Sequence, residues 1–215
     1  MIRIKICCIG SIEEAKKAIS YGASAIGLVA RMPSGQGVIA DELIAEIAKT
    51  VPPPVATFLL TSETSSGGIV NHHKRVNTNT LQIVDTLKLG SYRDIREKLP
   101  GVKIVQVIHV LTERSIDEAL KVSEKVDALL LDSGNPNLAV KELGGTGRTH
   151  NWAISRKIVE QSNVPVFLAG GLNAENVREA IEIVQPFGVD VCSGVRTDEK
   201  LDLKKLEAFF RAVLG

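Results

Sequence analysis

Two glycine turns late in the chain, Gly170-Gly171 and Ser193-Gly194, each follow a short apolar run: Val164-Pro165-Val166-Phe167-Leu168-Ala169 and Val189-Asp190-Val191-Cys192. Runs rich in β-branched residues and apolar on both faces suit parallel strands. A glycine turn after such a strand lets backbone N–H groups approach an anion ahead of a helix, here Asn173 to Val184. Together the turns read as a phosphate seat of the kind formed by the last two loops of a (β/α)8 barrel. The competing reading is that each only shapes the chain, and two in register after consecutive strands favour the anion.

Other reactive side chains stand at the ends of apolar runs. Cys7 and Cys8 close the first run, His109 lies near the end of the fifth, and Asp132 and Ser133 end the sixth. A thiolate can remove a proton next to a carbonyl or imine carbon, while a carboxylic acid can protonate a ring oxygen or nitrogen. With a phosphate seat beside them, Cys7 and Asp132 suggest a base and acid pair. The plainer alternatives are a buried small apolar residue for Cys7 and a strand-end turn residue for Asp132. His72, His73 and His150 are expected to be exposed polar residues. Their spacing does not bring two or three ligands together, so no metal is expected.

These groups share one mouth only if the strands run parallel. Strand-length apolar runs recur at Ile4 to Cys8, Ala25 to Ala30, Val55 to Leu60, Leu81 to Val84, Ile104 to Val110, Ala128 to Leu131, Val164 to Leu168 and Val189 to Cys192. Between them, Ile12 to Tyr21, Asp41 to Thr50, Ser91 to Leu99, Ser115 to Lys125 and Trp152 to Gln161 carry apolar residues at helical spacing. A short, less regular helix is expected within Ser62 to Val76, where Gly67-Gly68 interrupts the pattern. Strand-helix alternation implies a parallel sheet, and eight repeats in this length favour a closed (β/α)8 (TIM) barrel of one α/β domain, residues 1–215. A doubly wound open sheet is the runner-up. Pro52-Pro53-Pro54 stops the second helix, and Gly22, Gly101 and Gly188 sit where helices turn into strands. The loop from Asn135 to Asn151 is long for a barrel connection, and with Gly144-Gly145-Thr146-Gly147 in it, it reads as a lid over the mouth.

With 215 residues, 44% hydrophobic and 24% charged, the chain can bury one large core. The formal net charge of +1, with both signs interspersed, gives no footprint for nucleic acid or an anionic membrane. The expected partner is a small phosphorylated molecule, and the composition leaves monomer and homodimer both open. No apolar run reaches the roughly 18–20 residues of a membrane span. The first residues enter a strand rather than a signal-peptide pattern, so the expected location is cytoplasmic. Three cysteines, two of them adjacent, are not expected to build a disulfide framework.

Taken together, IKICCIGSIEEAKKAISYGASAIGLV at the start, LLLDS at the sixth run, then GGTGRTHNW, LAGGLNAENV and PFGVDVCSGV in that order resemble the phosphoribosylanthranilate isomerase family of tryptophan biosynthesis. The resemblance is dense from Val126 onward and thinner between Arg31 and Val110. It implies a TIM barrel and a cofactor-free Amadori rearrangement, an aldose amine becoming a ketose amine, within amino-acid biosynthesis. It also implies that Cys7 is the general base at the sugar C2 and Asp132 the general acid at the furanose oxygen. Gly170, Gly171, Ser193 and Gly194 would hold phosphate through backbone N–H groups, and the loop with Gly145 and Gly147 would cover the ligand.

Three positions depart from the family pattern. Cys8 stands where the family has glycine after the cysteine. Gln36 stands in the stretch where the family carries an arginine for the anthranilate carboxylate, with Arg31 the nearby candidate to replace it. The family's Gln-Leu-His-Gly reads Gln82-Ile83-Val84-Asp85, without the histidine. A glutamine can donate a hydrogen bond but not the charged, bidentate pair that fits a carboxylate. The expectation is therefore the family reaction with an altered clamp. The alternatives are an isomerase or lyase on another phosphorylated sugar derivative, and a non-catalytic phosphate-ligand-binding barrel.

Overall fold

The computed structural model describes residues 1–144 and 147–215. Eight parallel strands close into one barrel in chain order: β1 (Arg3–Ile6), β2 (Ala25–Val29), β3 (Ala56–Thr61), β4 (Thr80–Ile83), β5 (Lys103–His109), β6 (Ala128–Asp132), β7 (Val166–Leu168) and β8 (Gly188–Val191). β8 pairs back onto β1, with Lys5 opposite Asp190 and Ile6 opposite Val191. The closed barrel, not the open sheet, is therefore the architecture. Each expected strand is present, with ends displaced by a residue or two. β7 begins at Val166 rather than Val164 because Pro165 has no N–H to donate; its carbonyl instead accepts from Leu129.

The helices α1 (Ile12–Ser20), α2 (Asp41–Thr50), α3 (Ser66–Val76), α4 (Tyr92–Lys98), α5 (Arg114–Ser123), α6 (Trp152–Gln161) and α7 (Val177–Val184) surround the barrel. α3 starts at Ser66, later than the sequence pattern suggests, because Ser65 caps it by accepting from the Gly68 N–H. Gly67 and Gly68 thus occupy the first turn instead of breaking the helix, and a Cβ at Gly68 would crowd the Ser65 hydroxyl at 2.8 Å. α7 starts at Val177, not Asn173. Asn173 Oδ1 accepts from the N–H groups of Glu175 and Asn176, and Asn176 Oδ1 accepts from Asn173 N–H. These short polar side chains hold a turn in place of the first helical turn. After β8, a short hairpin of β9 (Arg196–Thr197) and β10 (Lys200–Leu201) leads into α8 (Leu203–Leu214), a helix not among those expected. Asp202 caps it by accepting from Lys204 and Lys205, and Leu206, Phe209, Phe210 and Val213 bury its inner face.

Alternation along the strands makes two cores. Ile4, Ile6, Ile26, Leu28, Leu59, Leu81 and Leu129 pack outward with helix residues such as Ile44, Ile47 and Phe209. Cys7, Ala25, Val29, Phe58, Leu60, Val107, Leu130 and Phe167 form the inner cluster. Its floor is aromatic, Phe167 meeting Phe58 and Phe187 edge-on at 6.0 and 5.4 Å between ring centroids. Among the described residues no helix is long and apolar enough to cross a membrane.

The histidines correct the expectation of exposure. His72 and His73 are buried. His72 bridges the Thr61 hydroxyl at 2.9 Å and the Asp41 carboxylate at 3.2 Å, joining α3 to β3 and α2. His73 Nε2 donates to the Thr78 carbonyl at 2.6 Å and so ties the end of α3 to the approach to β4. His150 is half-buried, its Nε2 bonded to Ser155 Oγ at 2.7 Å on α6. Placing them on helix faces or exposed loops by polarity alone misses these partners, all distant or one turn away.

Burial pushes His150 down to about 4, and burial, helped by neighbouring His72, also holds His73 below its ordinary value. The unfolded chain then takes up protons before the folded one. Stability is full above the unfolded value of about 6.5 and is lost as pH falls from there toward about 4. Urea unfolding at pH 7 and pH 4.5 should show a loss of which up to about 3 kcal/mol belongs to His150. A His150→Gln protein should lose correspondingly less across the same interval. An unchanged pH dependence in the variant would show that His150 is not the titrating group.

Candidate active site

A cavity lined from several strand ends opens at the C-terminal end of the barrel. Cys7 and Cys8 reach it from the end of β1, Ser34, Gly35 and Gln36 from the β2–α2 loop, and Asp132 from the last position of β6. Gly170 and Gly171 follow β7, Ser193 follows β8, and Leu143, Gly144 and Gly147 come from the long loop before α6. The structure therefore brings together Cys7, Asp132, Gln36, Gly147, Gly170, Gly171 and Ser193. Gly194 lies directly behind, where a Cβ would run into the Leu172 carbonyl, so the two glycine turns pack backbone to backbone. Gly170 and Gly171 both have left-handed φ, 83° and 62°. Arg31 is not at this mouth: it lines a separate outer hollow with Asp41, His72 and Arg75. Gly145 lies outside the described residues.

The long loop folds over the opening. A Cβ at Gly144 would stand 3.0 Å from Asp132 Oδ2, and one at Gly171 would stand 2.6 Å from the Arg148 carbonyl carbon. Only glycine at these two places lets the loop descend onto the carboxyl group and the turn after β7. Lys141 anchors the loop by an ion pair with buried Asp85, and the Ser34 hydroxyl donates to the Lys141 carbonyl at 2.6 Å.

Beneath the mouth sits a charged pair that the sequence reading gave no role. Lys5 is wholly buried, and its ammonium donates to Asp190 at 2.8 Å. Gly27 makes room for it: a Cβ there would lie 2.7 Å from Cys7 Sγ and 2.9 Å from Lys5 Nζ. Burial works against the Lys5 charge, but Asp190, with help from the Cys7 sulfur, outweighs it and holds the ammonium above its ordinary value. The signal was present in sequence: Lys5 and Asp190 stand at alternate positions in otherwise apolar strands. Only the register of β1 on β8 shows that they face each other. Gln82 is a further residue missed; it is 3% exposed, lines the cavity, and its Oε1 has no partner.

Burial pushes the Cys7 thiol up to about 11, Lys5 drawing it down and Asp190 adding to the rise. Burial also raises Asp132, and the Asp190 charge adds to this, while the Ser133 N–H, His109 and Lys5 oppose it. A raised carboxyl keeps a larger protonated share near neutral pH, as a proton donor requires. His109, opposite Asp132 in the β5–β6 register, donates from Nε2 to the Val84 carbonyl at 3.0 Å. The arrangement places a thiol and a carboxyl on one cavity, with the two glycine turns also lining it. Met32, Leu60, Val84 and Leu143 give the cavity apolar walls, and Gln36 also lines it.

The cysteines bring a correction. Cys8 and Cys192 form a disulfide across 184 residues, with Cα atoms 5.9 Å apart, and Cys7 is the free thiol. A framework was not expected because adjacent cysteines at one end of the chain gave no hint of a partner near the other. Closure of β8 on β1 supplies it, since the residues just past Ile6 and Val191 meet at the seam. Cys8 takes the left-handed φ of 62° there, the conformation a glycine would adopt most easily.

Comparison with known proteins agrees with this architecture. A sequence model of the family described as N-(5'phosphoribosyl)anthranilate (PRA) isomerase matches residues 4–212. N-(5'-phosphoribosyl)anthranilate isomerase of Methanocella arvoryzae is 33% identical over 214 residues, 99% of this chain and 98% of the relative. The crystal structure of phosphoribosyl anthranilate isomerase from Thermotoga maritima superposes with a TM-score of 0.80 at 30% identity, covering 99% of this chain and 98% of that one. A phosphoribosyl anthranilate isomerase in complex with reduced 1-(o-carboxyphenylamino)-1-deoxyribulose 5-phosphate has a TM-score of 0.77 at 28% identity, with the same coverage. With a family model matching residues 4–212 and a 33%-identical relative covered almost end to end, the chain belongs to the N-(5'-phosphoribosyl)anthranilate isomerase family.

Proposed function

We propose that the protein converts N-(5'-phosphoribosyl)anthranilate into the corresponding 1-amino-1-deoxyribulose 5-phosphate, an Amadori rearrangement in tryptophan biosynthesis that needs no cofactor. The observation that carries this reading is that Cys7 and Asp132 line one cavity together with Gly170, Gly171 and Ser193 of the two glycine turns. Asp132 gives its proton to the furanose oxygen, the C1–O bond breaks, and the amine nitrogen forms a double bond to C1. The Cys7 thiolate then takes the C2 proton, the C2–H electrons form a C1=C2 bond, and the C1=N π electrons return to nitrogen, giving the enaminol. Protonation at C1 and loss of the enol proton give the ketose. The thiolate is a minor form at neutral pH because burial raises Cys7, and the Lys5 ammonium below it stabilises what forms. Backbone N–H groups at the two glycine turns hold the phosphate, and the loop carrying Gly147 excludes water from the intermediates.

The second reading is a different phosphorylated sugar derivative. Gln36, Met32 and Val84 line the end of the cavity where the anthranilate ring and its carboxylate would lie, while Arg31 lies in another hollow. A neutral aglycone would fit this lining as well.

Asp132→Asn keeps the shape of the carboxyl group but cannot deliver its proton. It should lower kcat by roughly 10²- to 10⁴-fold while the inhibition constant of inorganic phosphate stays nearly unchanged. Parallel loss of phosphate affinity would give Asp132 a structural role instead.

Gln36→Arg separates the two substrate readings. A missing charged hydrogen bond to the carboxylate costs about 1.5–3 kcal/mol, or about ten- to a hundredfold in affinity. If the anthranilate carboxylate lies at this position, the variant should raise kcat/KM for phosphoribosylanthranilate about tenfold or more, followed by the fluorescence of the substrate. In a pocket shaped for a neutral aglycone the new guanidinium would be an unpaired charge and would bring no gain. No turnover by either protein, with inorganic phosphate still bound, would transfer the function to another phosphosugar.

A further inference from the structure

We propose that Cys8 and Cys192 are a thiol–disulfide exchange site for small-molecule disulfides and dithiols, and that the bonded state holds the turn after β8 ready for phosphate. The inference rests on the reading of Ser193-Gly194 as a phosphate turn. Both cysteines line the cavity, so a small reagent reaches them through the same opening as substrate. Cys192 is the more exposed of the two, Cys8 being 5% exposed. Cys7, the third thiol, is buried beside them, and burial pushes it up to about 11, so its thiolate is a minor form near neutral pH and a poor competitor in the exchange.

The exchange balances without any other reactant. The Cys192 thiolate attacks one sulfur of a small disulfide and expels the first small thiolate, leaving a mixed disulfide. The Cys8 thiolate then attacks the Cys192 sulfur and expels the second. Two protein thiols are oxidised and one small disulfide is reduced to two thiols. A dithiol reverses both steps.

The two states differ at the turn after β8. Reduction removes the covalent tie between the end of β1 and the turn after β8. The Cys8 side of that tie is held independently of the bond. Gly37 of the β2–α2 loop packs against it so closely that a Cβ there would overlap the Cys8 Cβ, and the buried Arg196 guanidinium donates to the Cys7 and Cys8 carbonyls. Displacement therefore falls on Cys192, which leads directly into the 3-10 turn Ser193–Val195. Reduction loosens that turn, and the phosphate must then order it on binding.

The test poises the purified full-length protein in oxidised and reduced glutathione and counts thiols after denaturation. It also measures the dissociation constant of inorganic phosphate by calorimetry, and kcat and KM on phosphoribosylanthranilate. One thiol is expected in the oxidised state and three in the reduced state, with phosphate binding about three- to tenfold weaker after reduction. KM should move with it and kcat much less. Cys192→Ser should show the weaker phosphate binding at every glutathione ratio, whereas Cys7→Ser should keep the response. Three thiols at every ratio, or one phosphate affinity in both states, would overturn the proposal. A phosphate affinity that shifts in a protein without turnover would support this inference and count against the proposed reaction.

Discussion

The barrel closes on a buried charge. Lys5 and Asp190 are register partners on β1 and β8, the first and last strands, and their ion pair lies inside the seam where the two ends of the sheet meet. Leaving either charge alone in that interior costs on the order of 3–5 kcal/mol, so the two are held as a unit. A slip of β8 by one residue would turn Asp190 outward and leave Lys5 facing apolar walls. The pair thus specifies the register of the seam as well as occupying it. Because Cys7 is two residues beyond Lys5 on the same inward face, the seam also sets what the thiol sees: an ammonium below it, an apolar wall around it, and a carboxylate across from it. The Lys5 ammonium also stands 5.2 Å from the Phe58 ring centroid, which joins the charged layer to the aromatic floor of the barrel.

Around this seam, side chains are removed wherever two backbones or a backbone and a reactive group must come close. Gly27 leaves space for Lys5 and the Cys7 sulfur, Gly144 for the Asp132 carboxyl, Gly171 for the descending loop, and Gly194 for the neighbouring turn. Each is a steric demand that a methyl group would violate. The long loop is positioned by polar contacts instead, through Lys141 to Asp85 and Ser34, which come from two different strand ends. The mouth is therefore assembled from opposite means: a stripped-down backbone at the glycine turns, and side-chain anchors where the long loop crosses it.

The seam also explains why one end of the mouth is covalently linked. Cys8 and Cys192 follow strands that are neighbours only because the barrel closes, and Arg196, reaching from just past β8, donates to the Cys8 carbonyl and pairs with Glu14 of α1 at 3.0 Å. Glu14 in turn accepts from the Gly10 and Leu201 N–H groups, so the first helix, the end of β1 and the hairpin before α8 meet at one carboxylate. Burial alone would raise that carboxyl, but Arg196 and the two N–H groups hold it below its usual range.

Alternation of eight apolar runs with helical segments was enough to specify a parallel barrel, because periodicity is a local property of consecutive residues. The same holds for α2 and α6, whose bounds follow directly from their patterns, and for the strand-end placement of Cys7, Asp132 and the two glycine turns. Asn173 and Ser65 moved helix starts by making local hydrogen bonds that hydrophobic periodicity does not register. The disulfide, the Lys5–Asp190 pair, the burial of His72 against Thr61 and Asp41, and the absence of Arg31 from the mouth belong to a different class. Each depends on which residues face one another across separate elements, and one sequence carries no record of that until the strands are in register. Lys5 and Asp190 stand 185 positions apart along the chain and 2.8 Å apart in the fold; only closure of the barrel brings them together.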